Sequence, residues 1–378
     1  MALSGPAPFD LDCRITLGVK VSVRILFAGG GSGGSAAPVI AVAEAARTHW
    51  PDASLLYVGT RAGPEAELVR DAGLPFVAVR AGRLRRYLTL RNLTDPSLVL
   101  AGLGQSLGVV RDFRPDVAFG AGGFATVPPL LAARMHRVPI VVHQQDVLPG
   151  LANRILAPFA CRLTCACAAT VPLFRRSQPI VVGNPVRQAV FAGQAERART
   201  VFDLESNLPL VLAMGGGTGA LRLNQLVAAA APDLIASCQI VHLTGAGKVV
   251  SGTQSSRYHQ LEFVSREMAD LLAAAEVVVT RAGMSSLAEI AALSKAAIVV
   301  PMPNSHQEAN AAVVEKLGGA IVVQERELAP ERLAAIVLAL LEDEDRRRAM
   351  RTSLATLFPS GAAEVIVGEL GAAAGAAG

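Results

Sequence analysis

The chain carries one local pattern twice: a short apolar strand, a run of glycines and then an apolar helix. The first copy has a strand at 23–28 (VRILFA), glycines within 29–34 and a helix at 39–46. The second has a strand at 210–214 (LVLAM), glycines within 215–219 and a helix at 221–230. Two such units far apart in sequence predict two Rossmann-like halves whose interface is the active cleft.

Strand-like and helix-like segments alternate after each copy. This alternation predicts an α/β protein with parallel, doubly wound sheets, and ligands should lie beyond the carboxyl ends of the strands. The further strands are predicted at 54–60, 76–79, 117–120, 140–143, 162–165, 180–182, 239–243, 261–264, 277–279 and 296–301.

The segments divide the chain into consecutive parts. We predict an N-terminal extension at 1–22, a first domain at 23–186 and a second at 187–344. A helix at about 345–368 is expected to pack back on the first domain, before a flexible tail at 369–378.

Composition excludes several classes of protein. Hydrophobic residues make up 52% of the chain and charged ones 17%, so it is globular, and 4% aromatics leave few stacking platforms for single-stranded nucleic acid. We therefore expect no nucleic-acid partner. Asp10 and Asp12 interrupt any signal peptide, and no run of 18 apolar residues occurs, so we expect a cytosolic or peripheral protein.

Metal and redox chemistry are not expected either. Five cysteines fit a reducing compartment, and Cys161, Cys165 and Cys167 share one face of a predicted strand with Leu163, as small buried hydrophobic residues do. Asp10-Leu11-Asp12 imitates a metal-binding D-x-D but lies in the extension. We predict neither a metal nor a cofactor.

The first glycine loop contains G-x-G-x-x-G, which is typical of dinucleotide-binding folds. Such folds place an acid at the end of the second strand, and the segment 54–60 ends without one, although Arg61 could meet an NADP phosphate. A loop that approaches a substrate closely is the favoured interpretation, and an oxidoreductase is the weaker one.

The segment 276–310 carries the clearest ligand chemistry. Gly283 breaks a strand, and Ser285 or Ser286 follows as N-cap of a helix whose free N–H groups suit a phosphate. Glu289, one turn later, could accept hydrogen bonds from a ribose diol, while Gln307 and Asn310 could read sugar hydroxyls. A cap or a solvated turn is the alternative for the serines and Asn310.

A basic segment precedes an apolar helix in the first half. Five arginines (Arg80, Arg83, Arg85, Arg86 and Arg91) come before apolar residues at 98–110. This pattern favours contact with an anionic membrane surface, and a solvated loop beside a core helix is the alternative.

With these residues in place, the chain resembles the MurG family of bacterial glycosyltransferases. The resemblance rests on loops at 29–34, 120–126, 143–146, 183–187 and 215–224, and on Arg281-Ala282-Gly283 with Glu289 and His306-Gln307 with Asn310. It implies a GT-B fold whose N-terminal half holds lipid I and whose C-terminal half holds UDP-N-acetylglucosamine. It also implies inverting transfer without an essential metal, giving lipid II for peptidoglycan synthesis. A peripheral position on the cytoplasmic face of the plasma membrane and a place in a cell-wall synthesis complex follow as expectations.

The resemblance also carries over site residues. On the first half, the implied substrate contacts are Gly31, Ser32, Gly33, Gly34, Phe124, His143 and Asp146. On the second half, they are Gly217, Thr218, Gly219, Asn224, Arg281, Gly283, Met284, Ser285, Glu289, His306, Gln307 and Asn310, with Arg187 at the domain junction.

Three departures from the family pattern bear on catalysis. Ser35 stands where the family has a histidine proposed as base or phosphate ligand, Gly217 replaces a serine, and Asp146 replaces an asparagine. Ser35 and Asp146 are the catalytic candidates. A serine cannot act as a base near neutral pH, so our hypothesis is that Asp146 helps to deprotonate the acceptor 4-hydroxyl.

Three other functions remain open from the sequence. One is a GT-B transferase that acts on another lipid acceptor, such as diacylglycerol. The others are a UDP-sugar epimerase of the same fold and a non-catalytic protein that retains UDP-sugar binding.

Overall fold

The computed structural model describes residues 22–31, 33–61, 65–82, 95–175, 177–216, 220–264 and 267–375. Within them the chain forms two lobes, each built on one parallel sheet with helices on both faces. The predicted α/β class with two doubly wound domains is confirmed. The extension to residue 21, with Asp10 and Asp12, lies outside the described residues.

The first lobe contains a seven-stranded sheet in the order β3-β2-β1-β4-β5-β6-β7. The central strand β4 is wholly apolar because helices cover both faces of the sheet, and its Phe119 meets Phe27 of β1 edge to face. The strands are β1 (Arg24–Ala28), β2 (Ser54–Gly59), β3 (Phe76–Ala78), β4 (Val117–Gly120), β5 (Ile140–Gln144), β6 (Arg162–Cys165) and β7 (Ile180–Val181). The helices are α1 (Gly33–His49), α2 (Glu65–Asp71), α3 (Asp95–Phe113), α4 (Val127–Met135) and α5 (Leu151–Leu156).

The second lobe contains a six-stranded sheet in the order β10-β9-β8-β11-β12-β13. Its strands are β8 (Leu210–Met214), β9 (Gln239–Leu243), β10 (Tyr258–Leu261), β11 (Ala275–Thr280), β12 (Ala296–Val299) and β13 (Ile321–Val322). Its helices are α6 (Gln188–Phe191), α7 (Ala195–Val201), α8 (Leu221–Leu234), α9 (Met268–Ala274), α10 (Met284–Ala292), α11 (Gln307–Lys316), α12 (Pro330–Glu342) and α13 (Glu344–Leu357). The strand predicted at 261–264 was wrong by three residues: Tyr258 already pairs with Ile240, and Phe263 is exposed.

The C-terminal helices divide between the lobes. Helix α13 packs on α10, α12 and β12 of the second lobe, whereas α14 (Ala362–Gly375) packs on α1, β4 and β5 of the first. The prediction that the whole segment at 345–368 packs back was therefore wrong for its first half. The predicted tail was also wrong, because α14 buries Leu370 and continues to Gly375. The domain boundaries themselves stay a prediction.

In the described part of the chain, one helical segment (Glu344–Gly375) is long and apolar enough to cross a membrane by length and composition alone. Helices in protein cores share this length and composition, and Ile366, Val367 and Leu370 of this segment are buried inside the first lobe.

Cys165 and Cys167 are buried as predicted, and burial raises the pKa of the Cys165 thiol to about 11. The prediction was wrong for Cys161, which is exposed at the start of β6.

Candidate active site

The glycine loops all follow the strands at which the order of a sheet reverses. In the first lobe, β1 and β4 are neighbours, and in the second lobe β8 and β11 are neighbours. Connections leave such a pair in opposite directions, which opens a crevice at the carboxyl ends of the strands. The loops beginning at Gly29, Gly120, Gly215 and Arg281 therefore border the candidate site.

The first glycine loop, at 29–34, is packed against the loop at 120–126. Gly31 has a φ of +95°, and a Cβ there would lie 2.1 Å from the ring of Phe124. A Cβ on Gly123 would lie 2.3 Å from the carbonyl oxygen of Gly30. Only glycine allows this approach, so Phe124 and Gly31 form one surface at the crevice. Their contact with substrate stays a prediction. Ser32 lies outside the described residues.

Ser35, in the first turn of α1, is buried. Its hydroxyl donates to the carbonyl of Gly30 at 3.3 Å. The hydroxyl therefore helps to hold the loop, and the catalytic role of Ser35 stays a prediction.

Glu65 is a site residue that the sequence analysis missed. It is fully buried, and its Oε2 accepts the N–H of Gly31 at 3.3 Å. Its Oε1 accepts the N–H of Thr60 at 3.0 Å and also the Thr60 hydroxyl. The only sequence signal was that Glu65 is the first acid after β2.

His143 supports strand ends and does not contact the crevice. Its Nδ1 lies 3.0 Å from Thr164 Oγ1, and its Nε2 lies 3.2 Å from Asn184 Oδ1. The ring is fully buried, and burial lowers the pKa of His143 to about 4, so the imidazole is neutral. Predicted substrate contact by His143 was therefore wrong: both nitrogens are used inside the first lobe.

Asp146, three residues later, lies at the junction of the lobes. Its Oδ1 accepts a hydrogen bond from Asn310 Nδ2 at 2.9 Å, and His306 Nε2 lies 3.8 Å from the same oxygen. The Asp146 side chain is 35% exposed and that of His306 is 53% exposed. Asp146 and His306 thus face the cleft from opposite lobes, and their roles toward substrate stay predictions.

Asn310 is fully buried at this junction. Besides Asp146, its Nδ2 donates to the carbonyl of Ala282 at 3.0 Å, and its Oδ1 accepts the N–H of Val147 at 2.9 Å. All its hydrogen-bonding groups have protein partners. The prediction that Asn310 reads sugar hydroxyls is replaced by a role in joining the lobes.

The N-terminus of α10 faces the first lobe. Gly283 precedes the helix and gives no side-chain cap, so the N–H groups of Met284 and Ser285 begin the helix without a side-chain acceptor at its cap. The Met284 side chain is itself buried, so only its backbone could meet a ligand.

The Ser285 hydroxyl connects α10 to the first lobe. It lies 2.7 Å from the carbonyl oxygen of Gly34 and 3.0 Å from Gln145 Oε1. The Gly34 carbonyl is open because Pro38, four residues on within α1, has no N–H to donate to it. A proline in one lobe thus frees an acceptor that the other lobe uses.

Glu289 lies in the same helix and is paired with Arg187, where the chain enters the second lobe. Arg187 Nη2 donates to its Oε1 at 3.0 Å, and the two side chains are 23% and 13% exposed, respectively. Arg187 therefore lies at the domain junction as predicted, and it orients the carboxylate for which we predict ribose binding.

Arg281 and Asn224 are buried in the second lobe. Arg281 donates to the carbonyls of Val300 and Pro301 and pairs with Glu325. Asn224 donates to the carbonyls of Thr244 and Lys248. Direct substrate contact was wrong for both side chains, because their polar groups brace the loops after β12 and β9. Gly217, Thr218 and Gly219 lie outside the described residues.

Gln307 begins α11 beside the loop after β12. Its Oε1 accepts the N–H of Met302 at 3.0 Å, which fixes the carboxamide and leaves its NH2 group without a hydrogen bond among the described residues. The side chain is half-buried, so this donor suits a sugar hydroxyl. Its predicted sugar contact stays open.

A cavity of about 310 Å³ lies elsewhere, at the amino ends of β8 and β11, where Pro209 and Glu276 line it. It is remote from all of these loops.

Two family models match the chain. The glycosyltransferase family 28 N-terminal domain matches residues 25–164, and the family 28 C-terminal domain matches residues 210–366. A relative from Lachnospira eligens, the UDP-N-acetylglucosamine--N-acetylmuramyl-(pentapeptide) pyrophosphoryl-undecaprenol N-acetylglucosamine transferase, is 33% identical over 85% of this chain and 91% of its own length.

Solved structures agree on the fold. Acinetobacter baumannii MurG matches with a TM-score of 0.67 at 23% identity, over 93% of this chain and 99% of its own. The UDP-GlcNAc 2-epimerase of Neisseria meningitidis, bound to UDP-GlcNAc, matches with a TM-score of 0.68 at 13% identity, over 92% and 99%. At these identities the likeness shows the GT-B fold alone, whereas the sequence matches go further: the chain belongs to glycosyltransferase family 28 and, within it, to the MurG family.

Proposed function

We propose that this protein transfers N-acetylglucosamine from UDP-N-acetylglucosamine to the 4-hydroxyl of the muramoyl sugar of lipid I, with inversion at the anomeric carbon, to give lipid II. The observation that carries the proposal is the pairing of an uncapped helix N-terminus at Gly283 with a carboxylate, Glu289, one turn into the same helix. The activity named for the Lachnospira eligens relative supports the choice of substrates.

The second lobe would hold the donor. The first N–H groups of α10 and the positive end of its dipole suit the diphosphate, and Glu289 suits the ribose diol. The Gln307 NH2 group would donate to a hydroxyl of the sugar. These groups stabilise charge on the departing UDP by preorganised dipoles, so the proposed chemistry requires no metal.

The first lobe would hold the acceptor beside Phe124 and the start of α1. Asp146 lies at the mouth of the cleft, and Asn310 holds only its Oδ1. Oδ2 is therefore the atom proposed to take the proton of the 4-hydroxyl while the oxygen attacks the anomeric carbon. Asp146→Asn should lower kcat by about a hundredfold or more, and unchanged turnover would remove Asp146 from the mechanism.

Transfer of labelled sugar to synthetic lipid I by the native chain and by Glu289→Ala tests the proposal. We expect transfer by the native chain and a loss of donor binding in the variant, since an uncompensated Arg187 remains where the diol should bind. Glu315→Ala, an exposed acid on α11, is the matched control. Native protein that labels diacylglycerol but not lipid I, or that epimerises the donor without acceptor, would identify one of the other functions.

We further propose a peripheral position at the cytoplasmic face of the plasma membrane, with contact through the region 83–110. Leu98 and Leu100 are exposed on α3, whereas Leu103, Leu107 and Val110 pack toward the core. Arg83, Arg85, Arg86 and Arg91 lie outside the described residues. Flotation with anionic vesicles should be lost when Arg83, Arg85 and Arg86 become Glu, and unchanged flotation would contradict the proposal. A cell-wall synthesis complex as partner stays an expectation of the family.

A further inference from the structure

We infer that Glu65 is a positioning residue for acceptor recognition, which acts by fixing the peptide between Gly30 and Gly31. The inference deepens the proposed function and rests on it, because the first glycine loop borders the acceptor side of the cleft. Neither the sequence motifs nor the family resemblance assigned a role to Glu65.

The Gly30–Gly31 peptide is held at both ends. Its N–H donates to Glu65 Oε2 at 3.3 Å, and its carbonyl accepts the Ser35 hydroxyl at 3.3 Å. The carboxylate lies directly below the loop: a Cβ on Gly30 would be 2.3 Å from Glu65 Oε1. The peptide plane therefore cannot rotate without breaking a buried hydrogen bond.

The carboxylate is held by hydrogen bonds. Thr60 gives it two donors and Gly31 a third, while none of the ion pairs among the described residues involves Glu65. Nearby, burial and the charge of Glu65 both raise the pKa of the Tyr57 hydroxyl. A fully buried acid in this setting requires its three donors, so its position is strongly determined.

The consequence for the acceptor is specific. Because the Gly31 N–H and the Gly30 carbonyl are used inside the lobe, the loop presents its Cα surface and the Phe124 ring to the substrate. Loss of the hydrogen bond between Gly31 and Glu65 would let the Gly30–Gly31 peptide rotate and would displace Phe124, whose ring lies against Gly31. Acceptor binding should suffer, whereas the donor site in the other lobe should not.

Glu65→Gln tests this inference. Glutamine supplies one acceptor oxygen, and its NH2 group would face an N–H or O–H donor. At least one of the hydrogen bonds that Glu65 accepts from Gly31 and Thr60 is therefore lost. We expect kcat/KM for lipid I to fall by about ten- to a hundredfold. The KM for UDP-N-acetylglucosamine and the calorimetric Kd for UDP should stay within about twofold of the native values. Glu67→Gln, an exposed acid on the same helix, is the matched control.

Hydrogen exchange at the Gly31 amide gives a readout that does not depend on lipid I. It should accelerate about tenfold or more in Glu65→Gln and remain unchanged in Glu67→Gln. If Glu65→Gln does not fold, Thr60→Val removes only the hydroxyl donor, and it should shift exchange and acceptor kcat/KM in the same direction by a smaller amount.

The outcomes separate the two proposals. Native exchange at Gly31 in both Glu65→Gln and Thr60→Val, or equal losses in donor and acceptor parameters, would overturn the positioning role. If the Gly31 amide exchanges faster in Glu65→Gln than in the native chain, but the native chain transfers no sugar to lipid I, the proposed function alone would be overturned.

Discussion

Asn310→Ala tests whether this residue joins the lobes or reads the donor sugar. The side chain makes two hydrogen bonds across the junction, one with the Val147 N–H and one with the Asp146 carboxylate. A neutral hydrogen bond contributes about 0.5–1.5 kcal/mol and one to a charged group about 1.5–3 kcal/mol. Because Asp146 is 35% exposed, water takes over part of its share, and the loss should be about 2–3 kcal/mol.

A loss of this size shifts the equilibrium between closed and open lobes by about 30- to 150-fold. If the closed form binds donor, the apparent Kd for UDP and for UDP-N-acetylglucosamine should rise together, by up to this factor, because the polar groups of the Asn310 side chain are all used by the protein. Calorimetric titration with both nucleotides measures the ratio, and small-angle scattering measures the opening. Lys316→Ala, exposed on the same helix, is the control.

Two results would refute this reasoning. A loss of affinity confined to UDP-N-acetylglucosamine would show that Asn310 does contact the sugar, as the sequence first suggested. Native affinities together with a native radius of gyration would show that the two bonds contribute little to closure.

Two further predictions concern stability. Arg281→Ala leaves the half-buried Glu325 without its partner and should destabilise the second lobe by about 3 kcal/mol. Arg281→Ala combined with Glu325→Ala should cost less than the sum of the single changes; a double-mutant cycle in urea measures this, and additive effects would contradict the pairing. Burial holds the pKa of His143 and His242 near 4, below the ordinary 6.5, so the unfolded chain takes up protons first as the pH falls. Each neutral histidine should make its full contribution to the free energy of unfolding above pH 6.5 and should lose roughly 3 kcal/mol of it as the pH falls toward 4. Urea midpoints at several pH values should show a flatter profile in His143→Gln, and an unchanged profile would argue against the buried neutral form.

The sequence was sufficient for the parts of the fold that depend on periodicity. Buried parallel strands are continuous apolar runs, so 24–28 and 210–214 were recognisable, and the glycine runs marked the sharp turns after them. The C-terminal helices were harder, because an amphipathic pattern does not say which lobe a helix covers. Only the contacts of the folded chain assign α14 to the first lobe, where Gly371 lies against Trp50.

Side-chain direction was the main source of error in the site. His143, Asn224, Arg281 and Asn310 are all polar residues at strand ends or helix starts, where ligand contacts are expected. Each instead satisfies buried backbone or side-chain groups of the protein, and the same donors and acceptors serve either purpose. Glu65 was missed for the converse reason, since a single acid at the start of a short helix gives no sign that it folds back beneath a loop.

The two lobes share a topology but differ in what the first glycine loop of one and the start of α10 in the other offer an anion. In the first lobe, a buried carboxylate already occupies the Gly31 N–H, and its charge would oppose a phosphate at that point. In the second lobe, Gly283 adds no side-chain cap to α10, and Arg187 lies within hydrogen-bonding distance of Glu289 in the same helix. Helix dipole and unfilled N–H groups then favour negative charge there. The asymmetry gives a physical reason, independent of the relatives, for placing the nucleotide diphosphate in the second lobe.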